Sequence, residues 1–317
     1  MGTLLRYPGG KARALKKIIK YFPEDLTEMV SPFFGGGAIE IHYAQKHKTR
    51  VHGYDLFPQL VQFWEMTLLD PERLAEEVTV LKNANPDLTE IWTQAQDTLR
   101  NTEVTQDNAF ALAALFYGIN RSSFSGTTLS GGCSNEAYHK RFTPSSIDRL
   151  RNFKAPTLTV ECADFEDSLS KHDPDVFVYA DPPYLLENSS LYGDRGNTHK
   201  DFDHQKLFEV MRQRNNWVMS YNPHPDIISL YESEGYKIEY PEWSMGMKNI
   251  YTVGQVKQRT DIKNLRDSVA ALSSAPLLED FQGALEKMES LLASELKSLT
   301  KDMGKAGEIL ILNVKGD

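Results

Sequence analysis

The sequence predicts an α/β fold built on a mostly parallel sheet. Short apolar runs alternate with helical patterns along the chain, and acids or glycines follow directly after several of these runs. Alternation of strands and helices favours a parallel sheet. Polar residues at strand carboxyl ends mark the edge where open α/β sheets bind ligands. The last apolar run, 308–314, is interpreted as a final antiparallel strand.

The elements follow from local patterns. Predicted strands cover the apolar or alternating runs at 28–34, 50–54, 157–162, 175–180, 217–221, 236–243 and 308–314. Predicted helices between them cover 38–46, 203–215 and 225–234. The alternation breaks over 61–156, where helical patterns at 72–82, 88–100 and 107–118 precede a loop rich in Ser, Thr and Gly. We therefore predict a sheet domain, 1–60 with 157–317, and an inserted helical lobe, 61–156.

A second helical insertion is predicted within the sheet domain at 254–304. Its later part, 277–300, carries a stripe of apolar residues at spacings of three and four: Leu278, Phe281, Leu285, Met288, Leu292 and Leu299. Such a stripe needs an apolar partner. Either it packs on its own domain or on the first helical segment of the insertion, or it pairs with its copy in a homodimer.

Composition excludes some classes of protein. The chain has 317 residues and a formal net charge of -9, which argues against a general nucleic-acid binder. Basic residues nevertheless cluster at 12–20 and 121–154, so one face can still be basic. No apolar run reaches the ~18 residues that cross a bilayer, and the N-terminus lacks a signal-peptide pattern. Cys133 and Cys162 are too few for a cysteine zinc site and suit a reduced compartment. We expect a cytoplasmic protein with no membrane or metal partner.

A glycine turn stands in SPFFGGGAIEIHYA (31–44), between an apolar strand end and a helix start. Glycines allow a sharp turn and a close approach to a ligand beside a helix N-terminus. Asp55 ends the next strand, at an offset where an acid binds ribose hydroxyls. Taken alone, the turn is about as typical of a plain tight turn.

The most specific motif is YADPPY (179–184). Prolines cannot continue a sheet ladder, so the strand ends at Asp181. Pro182 and Pro183 fix the backbone, and with it the directions of the Asp181 carboxylate and the Pro182 carbonyl. Two rigid acceptors side by side suit an NH2 group, and Tyr184 offers a ring for stacking.

Several motifs together resemble the Dam-like adenine-N6 DNA methyltransferases in their alpha arrangement. In order they are RYPGGK (6–11), SPFFGGG (31–37), Asp55, NRSSF (120–124), ADF (163–165), DPPY (181–184) and EILILN (308–313). The resemblance spans most of the chain outside 254–304. One departure is visible, because family members usually carry Asp or Glu where Ser31 stands, and that acid helps to hold the methionine amino group.

The resemblance implies a Rossmann-like sheet and transfer of a methyl group from S-adenosylmethionine to N6 of a flipped adenine in double-stranded DNA. It implies that Asp181 and the Pro182 carbonyl accept the two N–H bonds of the amine, with Pro183 and Tyr184 completing the catalytic motif. The implied cofactor residues are Tyr7, Lys11, Phe33, Gly35, Gly37, Asp55, Asp164, Phe165 and Asp181. Asp55 takes the ribose hydroxyls, and Asp164 takes the adenine amine. A bacterial or phage setting, with or without a restriction enzyme, is implied as well.

The same resemblance makes 61–156 the target-recognition lobe. Arg121 is the candidate for a guanine or phosphate contact. Phe124 is either an apolar wedge against DNA or part of the lobe core. Ser125, Lys140 and Arg141 are further candidate DNA contacts.

Two alternatives stay open on the residues alone. A cytosine-N4 or RNA-adenine methyltransferase uses the same chemistry, because both amines suit the same acceptor pair. A non-catalytic DNA-binding relic is the other alternative, and the intact Asp-Pro-Pro-Tyr motif argues against it.

Overall fold

The computed structural model describes residues 3–85, 91–133, 135–185, 202–241 and 308–314. In these ranges seven strands form one sheet in the order β3-β2-β1-β4-β5-β7-β6. The strands are β1 (Glu28–Ser31), β2 (Arg50–Asp55), β3 (Leu158–Cys162), β4 (Phe177–Ala180), β5 (Trp217–Tyr221), β6 (Lys237–Glu239) and β7 (Ile309–Asn313). Strand β1 pairs in parallel with β2 and β4, and β2 with β3, whereas β6 and β7 are antiparallel. The predicted α/β sheet with an antiparallel last strand is confirmed.

The strand order reverses beside β1, which lies between β2 and β4. Ligands of open α/β sheets bind at the carboxyl ends of the strands at such a reversal. Both strands are apolar and buried, since Met29, Val30 and all four residues of β4 are at most 2% exposed. Strand β1 ends at Ser31 and not at the predicted residue 34, because Pro32 has no N–H for the ladder and the glycine turn follows.

The helices in the described ranges are α1 (Leu15–Ile18), α2 (Ala38–His42), α3 (Pro58–Leu69), α4 (Pro71–Ala84), α5 (Trp92–Asn101), α6 (Ala109–Ser122), α7 (Asn135–Arg141), α8 (Pro144–Arg151), α9 (Phe165–Ser170), α10 (His204–Met211) and α11 (Pro225–Glu232). A π-helical turn, Tyr43–His47, continues α2. Helices α3, α4, α8 and α11 carry proline in their first turn, where the missing N–H costs nothing. None of the helices in these ranges combines the length and the hydropathy needed to cross a bilayer.

Helix α6 is the centre of the helical lobe. It packs against α3, α4, α5 and α7 and is buried around most of its circumference. Aromatic rings fill the space beside it; Phe63 and Tyr117, for example, stack with centroids 5.7 Å apart. Helix α3 begins at Pro58, before the predicted start of the lobe, and packs on β3 as well as on α6. Helix α3 therefore packs both on the lobe and on the sheet.

The chain divides into two compact units, Met1–Val218 with Val314–Asp317, and Met219–Asn313. The first unit contains β1 to β4 and α1 to α10, so the predicted lobe of 61–156 lies within it. The second contains α11, β6 and β7. A separate recognition domain over 61–156 stays a prediction. The 254–304 insertion, with the 277–300 helix and its homodimer, lies outside the described residues.

Candidate active site

Three predicted site residues meet at the carboxyl end of β4. The Nζ atom of Lys11 lies 2.7 Å from Oδ1 of Asp181 and donates to the hydroxyl of Tyr184 at 2.9 Å. It also donates to the Gly9 carbonyl at 2.9 Å. The Tyr184 hydroxyl donates in turn to Oδ1 of Asp181 at 3.4 Å. The side chain of Lys11 is 3% exposed and that of Asp181 22%, so the ammonium is a buried partner for a carboxylate at the sheet edge.

The glycine turn lies between Tyr7 and Asp55. The Gly35 N–H donates to Oδ2 of Asp55 at 2.8 Å, and the Phe57 N–H donates to Oδ1 at 3.0 Å. Burial raises the pKa of Asp55, and these N–H groups oppose the rise. Gly35 has φ +49°, and a Cβ placed on it would lie 2.8 Å from the Tyr7 ring. A side chain at position 35 would collide with the Tyr7 ring, so only glycine fits there. Asp55 bonds the backbone of the turn, and the Tyr7 ring packs against it. Gly37 is the N-cap of α2.

Three phenylalanines form an aromatic cluster at the same edge. The ring centroids of Phe33 and Phe165 are 5.8 Å apart, and each lies 5.6 Å from that of Phe202. All three rings are partly exposed. Asp164 is the N-cap of α9 and accepts from the Asp167 N–H at 2.8 Å. Phe202 is not identified from the sequence, because this residue belongs to no recognised motif. It stands directly before Asp203, the N-cap of α10.

A second carboxyl lies at the end of β1. Ser31 donates its hydroxyl to Oε1 of Glu40 at 2.8 Å, and the two residues are 0% and 2% exposed. Burial raises the pKa of Glu40 to about 7. Hydrogen bonds from the backbone and from Ser31 oppose the rise, and the negative charge of Asp181 adds to it.

Residues 7–247 match the model of a family described as D12 class N6 adenine-specific DNA methyltransferase. This chain belongs to that family. It is 27% identical to the type II methyltransferase M.MjaIII of Methanocaldococcus jannaschii over 228 residues, which are 66% of this chain and 78% of the relative. It is 27% identical to the DNA adenine methylase of Haemophilus influenzae over 203 residues, 61% of this chain and 68% of the relative. The retron Ec67 DNA adenine methylase of Escherichia coli is 28% identical over 235 residues, 72% of this chain and 77% of the relative.

The chain is thus an adenine-specific DNA methyltransferase, and its departure at Ser31 has a structural counterpart. The resemblance described from the sequence leads one to expect an acid at this position. Here the carboxyl of Glu40, on α2, accepts a hydrogen bond from the side chain of Ser31. A carboxyl group therefore lies beside residue 31, although it belongs to another residue.

Arg121, the candidate for a guanine or phosphate contact, lies inside the lobe. It is 7% exposed, and its Nε and Nη2 donate to the Arg141 carbonyl at 2.9 and 2.6 Å. Burial lowers the pKa of its guanidinium, while the nearby Tyr117 hydroxyl opposes this. In this position the guanidinium fastens α6 to the end of α7. A base contact would require it to leave both bonds, and its role toward DNA stays a prediction.

Phe124 lies on the surface. Its ring is 57% exposed, in a short helical turn, Phe124–Gly126, directly after α6. The neighbouring Ser125 is exposed and has φ +54°, a conformation that L-residues other than Asn and Asp rarely adopt. Of the two sequence interpretations, the structure therefore excludes membership of the lobe core. The apolar-wedge interpretation stays a prediction.

Asn120 fastens this turn to the segment that carries Tyr7 and Lys11. Its Oδ1 accepts from the Arg6 N–H at 3.0 Å, and its Nδ2 donates to the Arg6 carbonyl at 2.7 Å and the Gly126 carbonyl at 3.3 Å. Asn120 is 0% exposed. A single buried amide thus joins two sequence motifs, RYPGGK and NRSSF.

A basic cluster surrounds this junction. Burial lowers the pKa of Arg6, and the positive charges of Arg141 and Arg121 lower it further. Arg149 and Arg141 act in the same direction on Arg121. Lys140 is exposed and pairs with Glu136 at 2.6 Å. The acidic chain therefore does carry a locally basic surface, which includes Arg6, a residue not singled out from the sequence.

A polar cluster also lies away from the carboxyl edge of the sheet. His52 Nε2 is 2.9 Å from Oε1 of Glu28, and the rings of His52 and His172 are 4.7 Å apart. The side-chain oxygen or nitrogen atoms of Glu28, His52 and His172 that could bind a metal all lie within 4.8 Å of one another. Each is already engaged, because His172 Nε2 bonds the Tyr54 hydroxyl at 2.9 Å and Arg50 lies 3.6 Å from Glu28. The cluster is a network of hydrogen bonds and ring contacts.

Proposed function

We propose that Asp181 and the Pro182 carbonyl hold the N6 amine of the target adenine, and that the methyl donor binds beside them against the glycine turn. The observation that supports this most is the cluster of Lys11, Asp181 and Tyr184 at the end of β4, next to β1. It combines an acceptor for an amine with a cation that neutralises and orients it.

The residues at this edge fit S-adenosylmethionine by their chemistry. Asp55 offers a carboxylate to the ribose hydroxyls, and Asp164 offers one to the adenine amine. The aromatic cluster of Phe33, Phe165 and Phe202 offers apolar faces to a flat base. Tyr7, Lys11, Gly35 and Gly37 complete the set. When bound, S-adenosylmethionine supplies a methyl group on a sulfonium, which leaves as a neutral thioether.

The protein's contribution is positioning. The lone pair of adenine N6 is delocalised into the ring, so the amine is a poor nucleophile. Acceptance of both N–H bonds by Asp181 and the Pro182 carbonyl turns the lone pair out of the ring plane and directs it at the methyl group. As the new N–C bond forms, the nitrogen gains positive charge, which the Asp181 carboxylate stabilises before it takes up the proton released from N6.

Tyr184 and Lys11 support this carboxylate. Tyr184 is 6% exposed, and Nζ of Lys11 lies over its ring, 5.1 Å from the centroid. In this proposal a flipped adenine stacks on Tyr184. Extrusion from the duplex costs a few kcal/mol, and stacking on an aromatic ring returns about 1 to 3 kcal/mol of it.

The helical lobe over 61–156 contacts DNA in this proposal. Phe124 and Ser125 form the exposed tip, with Phe124 as an apolar wedge between bases. Of the basic cluster, Arg6, Lys140, Arg141 and Arg149 bind phosphates. We assign Arg121 to positioning of the Arg141 backbone, since its guanidinium is buried against that carbonyl.

Nucleoside analysis tests the reaction. DNA treated with the protein and S-adenosylmethionine is digested, and its modified nucleosides are identified by mass spectrometry. We expect N6-methyladenine from the wild type and almost none from Asp181→Asn. Asp107→Asn, on the exposed loop before α6, is the matched control and should act as the wild type does.

Each other outcome contradicts a different part of the proposal. N4-methylcytosine would refute the choice of base. Faster methylation of RNA than of DNA would refute the choice of nucleic acid. A wild-type protein that binds DNA and leaves it unmodified would be a non-catalytic relic.

A further inference from the structure

Glu40 is a buried carboxyl to which the chemistry above gives no task. It is 2% exposed, and its side-chain partner is the neutral hydroxyl of Ser31. Within the described part of the chain, no lysine or arginine pairs with it. A buried carboxylate without a cation is costly, which favours either its protonation or the arrival of a cation from outside the protein.

The other acids at this edge either have a cation as partner or are partly exposed. Asp181 is paired with Lys11 at 2.7 Å. Asp55 accepts two backbone N–H bonds, and Asp164 is used as the N-cap of α9. Glu40 is bonded to Ser31 at the end of β1, and Asp181 follows directly after β4, the parallel neighbour of β1. The two carboxyls therefore lie at the same edge of the sheet.

We propose that Glu40, oriented by Ser31, binds the α-ammonium group of S-adenosylmethionine. This inference rests on the proposed function, because it concerns the amino-acid end of the same methyl donor. The ammonium is a compact cation with three donors, and its charge is opposite to the one that Glu40 carries when ionised. The hydroxyl of Ser31 donates to Oε1 of Glu40 and fixes the rotamer of the carboxyl. Backbone hydrogen bonds at the start of α2 also reach this carboxyl, but they bring no cation to it.

The proton equilibrium of Glu40 links this contact to pH. Its pKa of about 7 leaves the carboxyl partly protonated at neutral pH, and a bound ammonium favours the charged form. Binding near pH 6 therefore releases a proton and is weakened. The groups that face Glu40 are Ser31 at the end of β1 and Asp181, directly after β4. Lys11, in the segment that packs against α2, is paired with Asp181.

The test compares two nucleosides by calorimetry. S-adenosylhomocysteine carries the amino-acid end, whereas 5′-methylthioadenosine has the same adenosine and thioether without it. At pH 8 we expect Glu40→Gln to bind S-adenosylhomocysteine about 10- to 100-fold more weakly, the effect of one charged hydrogen bond, and to bind 5′-methylthioadenosine as the wild type does. Exposed Glu76 on α4 provides the control, Glu76→Gln, which should change neither affinity.

A relocated acid provides the second arm. Ser31→Asp combined with Glu40→Gln returns a carboxylate to the end of β1 and should recover most of the lost affinity for S-adenosylhomocysteine. Between pH 8 and pH 6 the wild-type affinity for S-adenosylhomocysteine should fall about tenfold, while that of Glu40→Gln stays level.

Failure of the inference is distinct from failure of the proposed function. If Glu40→Gln weakens both nucleosides equally, or neither, Glu40 does not bind the ammonium, although the donor site stands. If the wild type binds neither nucleoside, the proposed methyl-donor site itself is refuted.

Discussion

The buried ion pair between Lys11 and Asp181 gives the most demanding prediction. Lys11→Met keeps the length and apolar stem of the side chain but removes the ammonium, which is 3% exposed and 2.7 Å from the carboxylate. Removal of one partner from a buried pair leaves an uncompensated charge and costs about 3 to 5 kcal/mol of stability. We take the lower end, because Asp181 is 22% exposed and water can reach part of its charge.

A double-mutant cycle isolates the pair. Asp181→Asn alone should also destabilise the protein, because it leaves the Lys11 ammonium buried without its anion. In the double variant neither charge remains, so its loss should be smaller than the sum of the single losses by about 2 kcal/mol. Urea unfolding followed by circular dichroism measures all four proteins. Lys17→Met, on the exposed side of α1, is the control and should shift stability by less than about 0.5 kcal/mol.

Additive losses would refute this reasoning. If the single losses sum to the double loss within about 0.5 kcal/mol, the two charges do not interact in solution, and Lys11 cannot be what orients Asp181. If Lys11→Met matches Lys17→Met in stability, the ammonium is not buried as described.

Three further predictions concern other parts of the site. The folded protein binds the Glu40 proton more tightly than the unfolded chain, since the pKa is raised from 4.5 to about 7. The resulting stabilisation is complete below pH 4.5 and is lost as pH rises through 7. Urea unfolding should therefore show the wild type losing about 3 kcal/mol of stability relative to Glu40→Gln between pH 4.5 and pH 8, and parallel pH profiles of the two proteins would contradict this. Gly126→Ala should lower stability by about 1 to 3 kcal/mol in thermal and urea unfolding, because Gly126 has φ +81° and an added Cβ would lie 2.1 Å from the Arg6 carbonyl oxygen; unchanged stability would show that the turn does not pack on Arg6. Phe124→Ala should leave stability within about 0.5 kcal/mol, because the ring is 57% exposed, but should weaken duplex binding in fluorescence anisotropy, and unchanged binding would remove Phe124 from the DNA contacts.

The sheet, and the position of three acids at its carboxyl edge, could be predicted from the sequence for a local reason. Asp55, Asp164 and Asp181 each follow an apolar run, and carboxyl ends of parallel strands share one edge. Prolines and glycines then located the ends of the strands. Such signals depend only on neighbouring residues, so they can be recognised without the fold.

The contacts within the site could not be predicted in this way. Lys11 and Tyr184 are 173 positions apart, and no pattern in either motif encodes their meeting. Glu40 comes to Ser31 only because the glycine turn reverses the chain between them. Arg121 has the same limitation: α6 is buried on nearly all sides, so amphipathic spacing gave no sign that its guanidinium would be packed inside.

The central claim is that Asp181 acts in the methyl-transfer step by positioning the adenine amine. The direct measurement is single-turnover methylation of a duplex by Asp181→Asn, with saturating S-adenosylmethionine and enzyme in excess, beside the dissociation constant for the same duplex. We predict that the single-turnover rate falls by roughly 10²-fold or more while duplex affinity stays within about threefold, because the lost interaction is made in the transition state. A near-normal rate for methyl transfer by Asp181→Asn would contradict the account.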